Sequence, residues 1–371
     1  MHLVLIVHSL RRGGAERVLL EIANELQNRG HQVEVISWLK VDEYNDDCYS
    51  TIKRHYLIEE DDYNWVSSIP KSAIILRKLL LNLKPNIIQI HTPNITWLTA
   101  FTFLRIPCIH VLHGYGDITP SKSLKNYIIR FIYRLASMYL NCTYITVSES
   151  MIPIASNFFN LNHQKFITVK NGVDQTKFFF KEKAQNNNPI IVIIGTLTKN
   201  KGQIKGILAF LILLKYIPNA KLLIVGEGVD REKINNEIEK NKLFEKVKLL
   251  GRRDDIPKIL ANSNILWQLS ESEAMPMVVL EAMASGTPVI GFDVRGTKDV
   301  VINNKTGYLV QFDDVSVIAK KTVDLLNSND IYKSFSLNSQ KIVADMYTKQ
   351  YMIAGHENAL YQKMKINNYE S

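Results

Sequence analysis

Short runs that are apolar at nearly every position alternate with longer stretches of helical period, and the alternation runs twice along this chain of 371 residues. A run apolar throughout but too short for a helix marks a strand buried on both faces, the condition of a parallel sheet covered by crossover helices. The first set of such strands is Leu3 to Val7, Val33 to Ser37, Ile87 to Ile90, Cys108 to Leu112 and Tyr144 to Val147. Between the first two, Val18, Leu19, Ile22, Ala23 and Leu26 share one face of a predicted helix over Ala15 to Arg29, which Gly30 caps. After Phe166 to Val169 and the turn Asn171-Gly172-Val173-Asp174, the polar, Asn-rich stretch Lys181 to Pro189 reads as a linker. The second set is Ile190 to Ile194, Lys221 to Val225, Val247 to Leu250, Ile265 to Leu269 and Val289 to Phe292. The predicted fold class is α/β, with two Rossmann-like doubly wound domains, 1–180 and 181–346, facing across a cleft that takes ligands at the carboxyl ends of the strands. A chain of this length exceeds what one hydrophobic core usually serves.

Charge narrows the function little. The net charge is +9, from 45 basic and 36 acidic residues, and suits a nucleic acid, a phosphate-bearing ligand or an anionic membrane surface equally. Cys48, Cys108 and Cys142 lack disulfide-framework or zinc spacing, so a reducing, cytoplasmic setting is expected. The apolar start His2 to Val7 is too short for a signal segment, and the longest apolar run, Ile207 to Leu214, falls short of the roughly 20 residues of a membrane span. A soluble or peripheral protein is expected.

The densest chemistry lies in Glu273-Ala-Met-Pro276-Met-Val-Val-Leu-Glu281-Ala-Met-Ala-Ser-Gly286-Thr-Pro288, directly after a predicted strand. Pro276 suits the first position of a helix and Gly286 its C-cap, so a helix of about Pro276 to Ser285 is predicted. Its free N–H groups and positive dipole end form an anion site at the sheet edge, suited to a diphosphate. Carboxylates there repel phosphate, so Glu281 suits ribose hydroxyls and Glu273 sugar hydroxyls or loop order. Standing alone, an E-x7-E pair is more often one solvated helix residue and one loop charge.

With this run, the sequence resembles the GT-B glycosyltransferases of family 4 (group 1 glycosyl transferases), whose donor domain carries E-x7-E followed by E-A-x-A-x-G-x-P-V. The segment Glu281-Ala282-Met283-Ala284-Ser285-Gly286-Thr287-Pro288-Val289 matches almost throughout. A second element, Gly195-Thr196-Leu197-Thr198-Lys199-Asn200-Lys201-Gly202, corresponds to the family turn G-R-L-x-x-x-K-G that holds the donor diphosphate. Lys201 matches, whereas Thr196 stands where Arg is usual, which removes one cation; Lys199 or the Thr196 hydroxyl is the available substitute. In the first half, Arg12-Gly13-Gly14-Ala15-Glu16 resembles the family's G-G-A-E loop, and its glycines permit close backbone approach. It is neither a dinucleotide fingerprint nor a Walker loop. His113 closes a strand where family members carry a His near the reacting carbon. His91 ends another strand in the same way, and His110, in midstrand, reads as core.

The resemblance implies a retaining, metal-independent transfer from a nucleotide-diphosphate sugar, with UDP the expected nucleotide, held by 181–346, to a saccharide or lipid-linked acceptor held by 1–180. A C-terminal helix within 347–371, near Thr348 to Lys363, crosses back to the first domain. It assigns His113, Glu273 and Lys201 to catalysis, and Gly14, Thr196, Lys201, Met275, Pro276, Met277 and Glu281 to the donor. Gly13 and His91 fall to the acceptor side. No cofactor, metal or nucleic acid is expected, and no D-x-D motif occurs. Ser148 reads as a helix cap. Ser121 to Leu140 mixes Lys122, Lys125, Arg130 and Arg134 with apolar residues, as in a helix lying on an anionic membrane or a crossover helix with a solvated basic face. A sugar-nucleotide epimerase of the same fold and a noncatalytic sugar-nucleotide-binding subunit stay open.

Overall fold

The computed structural model describes residues 1–44, 49–64, 67–115, 118, 124–183 and 188–370, with the backbone alone at 93–94, 124–130 and 366–370. The chain divides into two compact units, Met1–Lys170 with Met352–Ser371, and Asn171–Tyr351.

The first unit runs β1 (His2–Val7), α1 (Gly14–Asn28), β2 (Gln32–Leu39), β3 (Lys53–Ile58), α2 (Ile69–Leu83), β4 (Ile87–Ile90), α3 (Pro93–Ala100), β5 (Cys108–Leu112), α4 (Leu124–Tyr139), β6 (Thr143–Thr146), α5 (Ile152–Phe159) and β7 (Phe166–Thr168). Its strands form one parallel sheet in the order β3-β2-β1-β4-β5-β6-β7. β1 therefore pairs with both β2 and β4, Leu5 facing Val35 on one side and Gln89 on the other, and the direction of winding reverses there. Leu3 to Val7 are buried because helices cover both faces. In α1 the buried residues are Val18, Leu19, Leu20, Ile22, Ala23 and Leu26, and Gly30 follows at φ +86°.

The second unit runs β8 (Ile190–Ile194), α6 (Gln203–Leu213), β9 (Lys221–Val225), α7 (Arg231–Lys240), β10 (Val247–Gly251), α8 (Ile256–Asn262), β11 (Ile265–Gln268), α9 (Met277–Ala284), β12 (Val289–Phe292), β13 (Gly307–Val310), α10 (Val315–Asn327) and α11 (Asn329–Met346). Its parallel sheet has the order β10-β9-β8-β11-β12-β13, with the reversal between β8 and β11. Trp267, fully buried on β11, donates its indole N–H to Thr322 Oγ1 of α10 at 2.9 Å, so the largest core side chain leaves no polar atom unpaired. α12 (Lys349–Glu370) begins in this unit and passes into the first at Met352. Among the described residues no helix is long and apolar enough to cross a membrane.

The division falls at Lys170/Asn171, ahead of the polar linker, because 171–180 packs on the second unit. A Cβ on Gly172 would lie 2.2 Å from Thr348 O, so only glycine allows this approach. Val173 N donates to Tyr347 O at 2.8 Å and Lys349 N to Val173 O at 3.0 Å. Lys349 Nζ meets Asp174 Oδ2 at 2.9 Å. Burial pushes the Asp174 carboxyl up, but the Thr176 hydroxyl and amide and the Lys349 ammonium outweigh it and hold it at about 2. A carboxyl lowered from about 3.9 in the unfolded chain stabilises fully above that value and loses its contribution as pH falls toward 2. Asp174→Asn should therefore cost about 2 kcal/mol at pH 7. In urea unfolding across a pH series, the gap from wild type should close below about pH 4.

Candidate functional site

In the second unit three loops meet at the carboxyl edge of the sheet. Gly195 N donates to Val225 O at 3.0 Å and Leu197 N to Glu227 O at 2.9 Å, tying the turn after β8 to the one after β9. Lys199–Lys201 form a single 3-10 turn, and Gly202 follows at φ +71° with its Cα against Leu269. A Cβ there would sit 2.1 Å from Leu269 O, so glycine alone lets this turn lie on the chain leaving β11. That contact brings Lys201 Nζ to 2.5 Å from Glu273 Oε1. Gln268, the last residue of β11, donates to the same oxygen at 3.1 Å and to Ser270 Oγ at 2.9 Å. Both contacts fall on Oε1, and Glu273 Oε2 has no partner among the described residues. An ammonium carries three donors, so Lys201 can keep Glu273 and still reach a phosphate oxygen.

α9 begins at Met277, with Pro276 in the cap position at φ −71°, ψ 114°. Val279 N donates to Pro276 O at 3.1 Å, and the amides of Met277 and Val278 ahead of it have no acceptor within the helix. Met275, just ahead, is buried, and its carbonyl accepts from Asn171 Nδ2 at 3.3 Å. Glu281 is 3% exposed and so is not a solvated helix charge. Gly286 takes φ +70°, and a Cβ on it would press on the Phe180 ring and Ser336 Oγ at 2.9 Å. The loop after β12 completes the edge, because Gly296 approaches Glu273 O where a Cβ would lie at 2.1 Å. Thr196 and Lys199 are exposed, and Lys199 forms no ion pair among the described residues. Lys205 is engaged with Asp313 at 3.0 Å and stands 4.1 Å from the Phe312 ring centroid.

In the first unit Gly13 occupies the cap of α1, and the Tyr44 hydroxyl grips its peptide from both sides. Gly13 N donates to Tyr44 Oη at 3.1 Å, and Tyr44 Oη donates to Gly13 O at 2.8 Å. Around Gly14 a Cβ would meet nothing within 4 Å, so this backbone is open to approach. His113, just past β5, is half-buried, and its Nε2 lies 2.9 Å from Nδ1 of His91. His91 is 1% exposed, so its ring is packed against His113 rather than offered at the surface. Burial lowers His113 to about 4. Burial, followed by His113, His356 and His110, lowers His91 further. His110 is buried with Nδ1 3.1 Å from Thr96 Oγ1. Ser148 precedes a 3-10 turn without capping it, because its Oγ pairs with Ser150 Oγ at 3.0 Å.

Of Ser121 to Leu140, residues 121–123 and the side chains of 124–130 lie outside the described residues. On the rest of α4, Phe131, Ile132, Leu135 and Met138 are exposed while Tyr133 and Ala136 are buried. Phe101 and Phe103, after the adjoining α3, are exposed too, Phe103 by 69% at φ +55°, a conformation rare for an aromatic residue. From 63 to 148 the sequence holds nine Lys and Arg against one acid, Asp117, a net +8 of the whole chain's +9.

Sequence reasoning missed Gln268, Tyr44 and His356. Only Gln268 had a signal, as the one polar residue in the run Ile265 to Leu269.

Two family models match: Glycosyl transferases group 1 over residues 174–342 and Glycosyltransferase Family 4 over residues 12–177. The chain is 24% identical over 375 residues, 95% of each protein, to N-acetyl-alpha-D-glucosaminyl L-malate synthase of Bacillus anthracis. It is 29% identical over 265 residues to the UDP-Gal:alpha-D-GlcNAc-diphosphoundecaprenol alpha-1,3-galactosyltransferase of Escherichia coli, covering 66% of this chain and 67% of that one. In fold it is similar to Anabaena Alr3699/HepE in complex with UDP, with a TM-score of 0.81 and 17% identity over 98% of this chain and 100% of that one.

Proposed function

Because the chain belongs to the group 1 glycosyltransferases of the GT-B fold, we propose that it moves a hexosyl or N-acetylhexosaminyl group from a UDP-sugar to a cell-surface polysaccharide or lipid-linked oligosaccharide. The observation that carries this reading is the Lys201–Glu273 contact of 2.5 Å. It sets one cation and one carboxylate at the strand edge where α9 presents its unpaired amides. The Escherichia coli relative is named for a UDP-galactose donor and a diphosphoundecaprenol-linked acceptor, and the Anabaena structure contains UDP; both support the assignment.

The charge that grows most during transfer is on the leaving diphosphate. Lys201 and the amides of Met277 and Val278 stabilise it, with Thr196 and Lys199 at the same turn. Glu273, held through Oε1, accepts sugar hydroxyls on Oε2, and Glu281 takes the ribose. Met275 and Pro276 fix the start of α9. On the acceptor side, Gly14 admits close backbone approach, Gly13 being held by Tyr44 and covered by Glu16, and His113 serves the reacting region as a neutral group. The transfer retains configuration. The acceptor oxygen bonds to the anomeric carbon on the face from which the phosphate oxygen departs, and the acceptor proton passes to that phosphate oxygen. Side-chain cations and a helix terminus do the work of a divalent ion. In EDTA, Glu273→Gln should bind UDP within about threefold of wild type. It should release UDP from UDP-glucose, UDP-galactose or UDP-N-acetylglucosamine at least about tenfold more slowly when membrane lipid extract supplies the acceptor. An equal loss of UDP affinity would put Glu273 on the diphosphate and contradict its role here.

The acceptor side is read as resting on an anionic bilayer. Apolar side chains exposed on a surface nearly devoid of acids match a lipid headgroup layer, with cations for the phosphates and aromatics for the acyl boundary. Full-length protein should float with phosphatidylglycerol vesicles at low salt and not with phosphatidylcholine. Replacing Phe101 and Phe103 together by Ser should weaken flotation by about tenfold or more. Failure to bind the anionic vesicles would remove this part of the reading.

A further inference from the structure

Four histidines sit close together in the first unit: His91 after β4, His110 within β5, His113 after β5 and His356 on α12. None of them contacts a carboxylate among the described residues. His31 and His55 differ, pairing with Glu357 at 2.7 Å and Glu34 at 2.6 Å. Gln89 Nε2 donates to His356 Nδ1 at 2.8 Å, and burial lowers both His356 and His110 to about 3. The cluster therefore stays uncharged near pH 7.

An uncharged imidazole carries one proton, so the 2.9 Å contact between His91 Nδ1 and His113 Nε2 has one donor and one acceptor. If His113 donated from Nε2, the proton of His91 would sit on its own Nε2. That nitrogen is sealed from solvent without a partner. A buried N–H with no acceptor is the rarer and costlier defect, and a bare acceptor nitrogen the milder one. The opposite assignment leaves only the milder defect. His113 Nδ1 is not among the buried unpartnered atoms and has no partner among the described residues, so it faces accessible space.

We infer that His91 is a positioning residue that fixes the tautomer of His113: His91 donates from Nδ1 to His113 Nε2, and His113 therefore offers Nδ1–H as a donor to ligand oxygens. The site thus presents a hydrogen-bond donor, not a base, toward a sugar hydroxyl or a phosphate oxygen. The kinetic consequence rests on the reading of His113 as a donor-sugar contact, whereas the tautomer does not.

The test is long-range proton–nitrogen NMR of full-length protein labelled with 15N in its histidine rings, with His113 assigned through His113→Gln. At pH 7 and without ligand, His113 should show a protonated-type resonance at Nδ1 and an unprotonated one at Nε2. His91→Asn, whose amide can still donate near the position of Nδ1, should keep that pattern, and His91→Leu should lose it while melting as a folded protein. Protonation at His113 Nε2 in the wild type, or an unchanged pattern in His91→Leu, would overturn the inference. With a UDP-sugar, His91→Leu should lower kcat by about tenfold at little change in donor KM, and His91→Asn should recover most of it. If the tautomer shifts as expected and kcat does not move, the tautomer assignment stands and the placement of His113 at the reacting sugar falls.

Discussion

The approach of the turn after β8 to the chain leaving β11 is the contact on which the second unit's site depends. Two apolar strands bring their carboxyl ends side by side, but it is Gly202 at φ +71° that lets one loop rest on the carbonyl of Leu269. From that contact follow the meeting of Lys201 with Glu273 and the grip of Gln268 on the same oxygen. Gly296, against the carbonyl of Glu273, holds the carboxylate's backbone from the other side. A lysine this close to a carboxylate is held in place before any ligand arrives, which is preorganisation of the kind that favours a developing anion.

The two units set different polar groups beside their central strands. The second places opposite charges in contact at its strand edge. The first places buried imidazoles on and after β4 and β5 and on α12, bonded to one another, to Gln89 and to Thr96. Its positive charge is displaced to the residues of 63–148 outside the strands, where α2 and α4 carry most of it.

Much of the fold was legible because strands buried on both faces must be apolar at every position. The same rule explains what was missed. β3 begins Lys53-Arg54-His55, and β13 is four residues opening on Gly307; both are outermost strands, where one side lacks a neighbour and polar residues are tolerated. The break between units lies ten residues before the Asn-rich stretch because Gly172, Val173 and Asp174 pair with Tyr347 to Lys349, a contact across some 175 positions that no local pattern announces. In the site, the helix ending at Gly286 could be read from the placing of Pro276 and Gly286, and the roles of Lys201 and Glu273 from the resemblance to the family motifs. The partners of these groups could not, because Gln268 to Glu273 depends on how the loop folds back on the end of β11, and His91 to His113 on side-chain direction past two neighbouring strands.

The central claim is that the second unit grips a nucleoside diphosphate through Lys201 and the start of α9. Titration calorimetry of UDP, GDP and ADP into wild type and Lys201→Ala, all in EDTA, tests it most directly. The expected result is metal-free binding of UDP in preference to the other two, weakened about tenfold or more in the variant. Binding of UDP that is unchanged by Lys201→Ala, or that appears only when a divalent cation is restored, would contradict it.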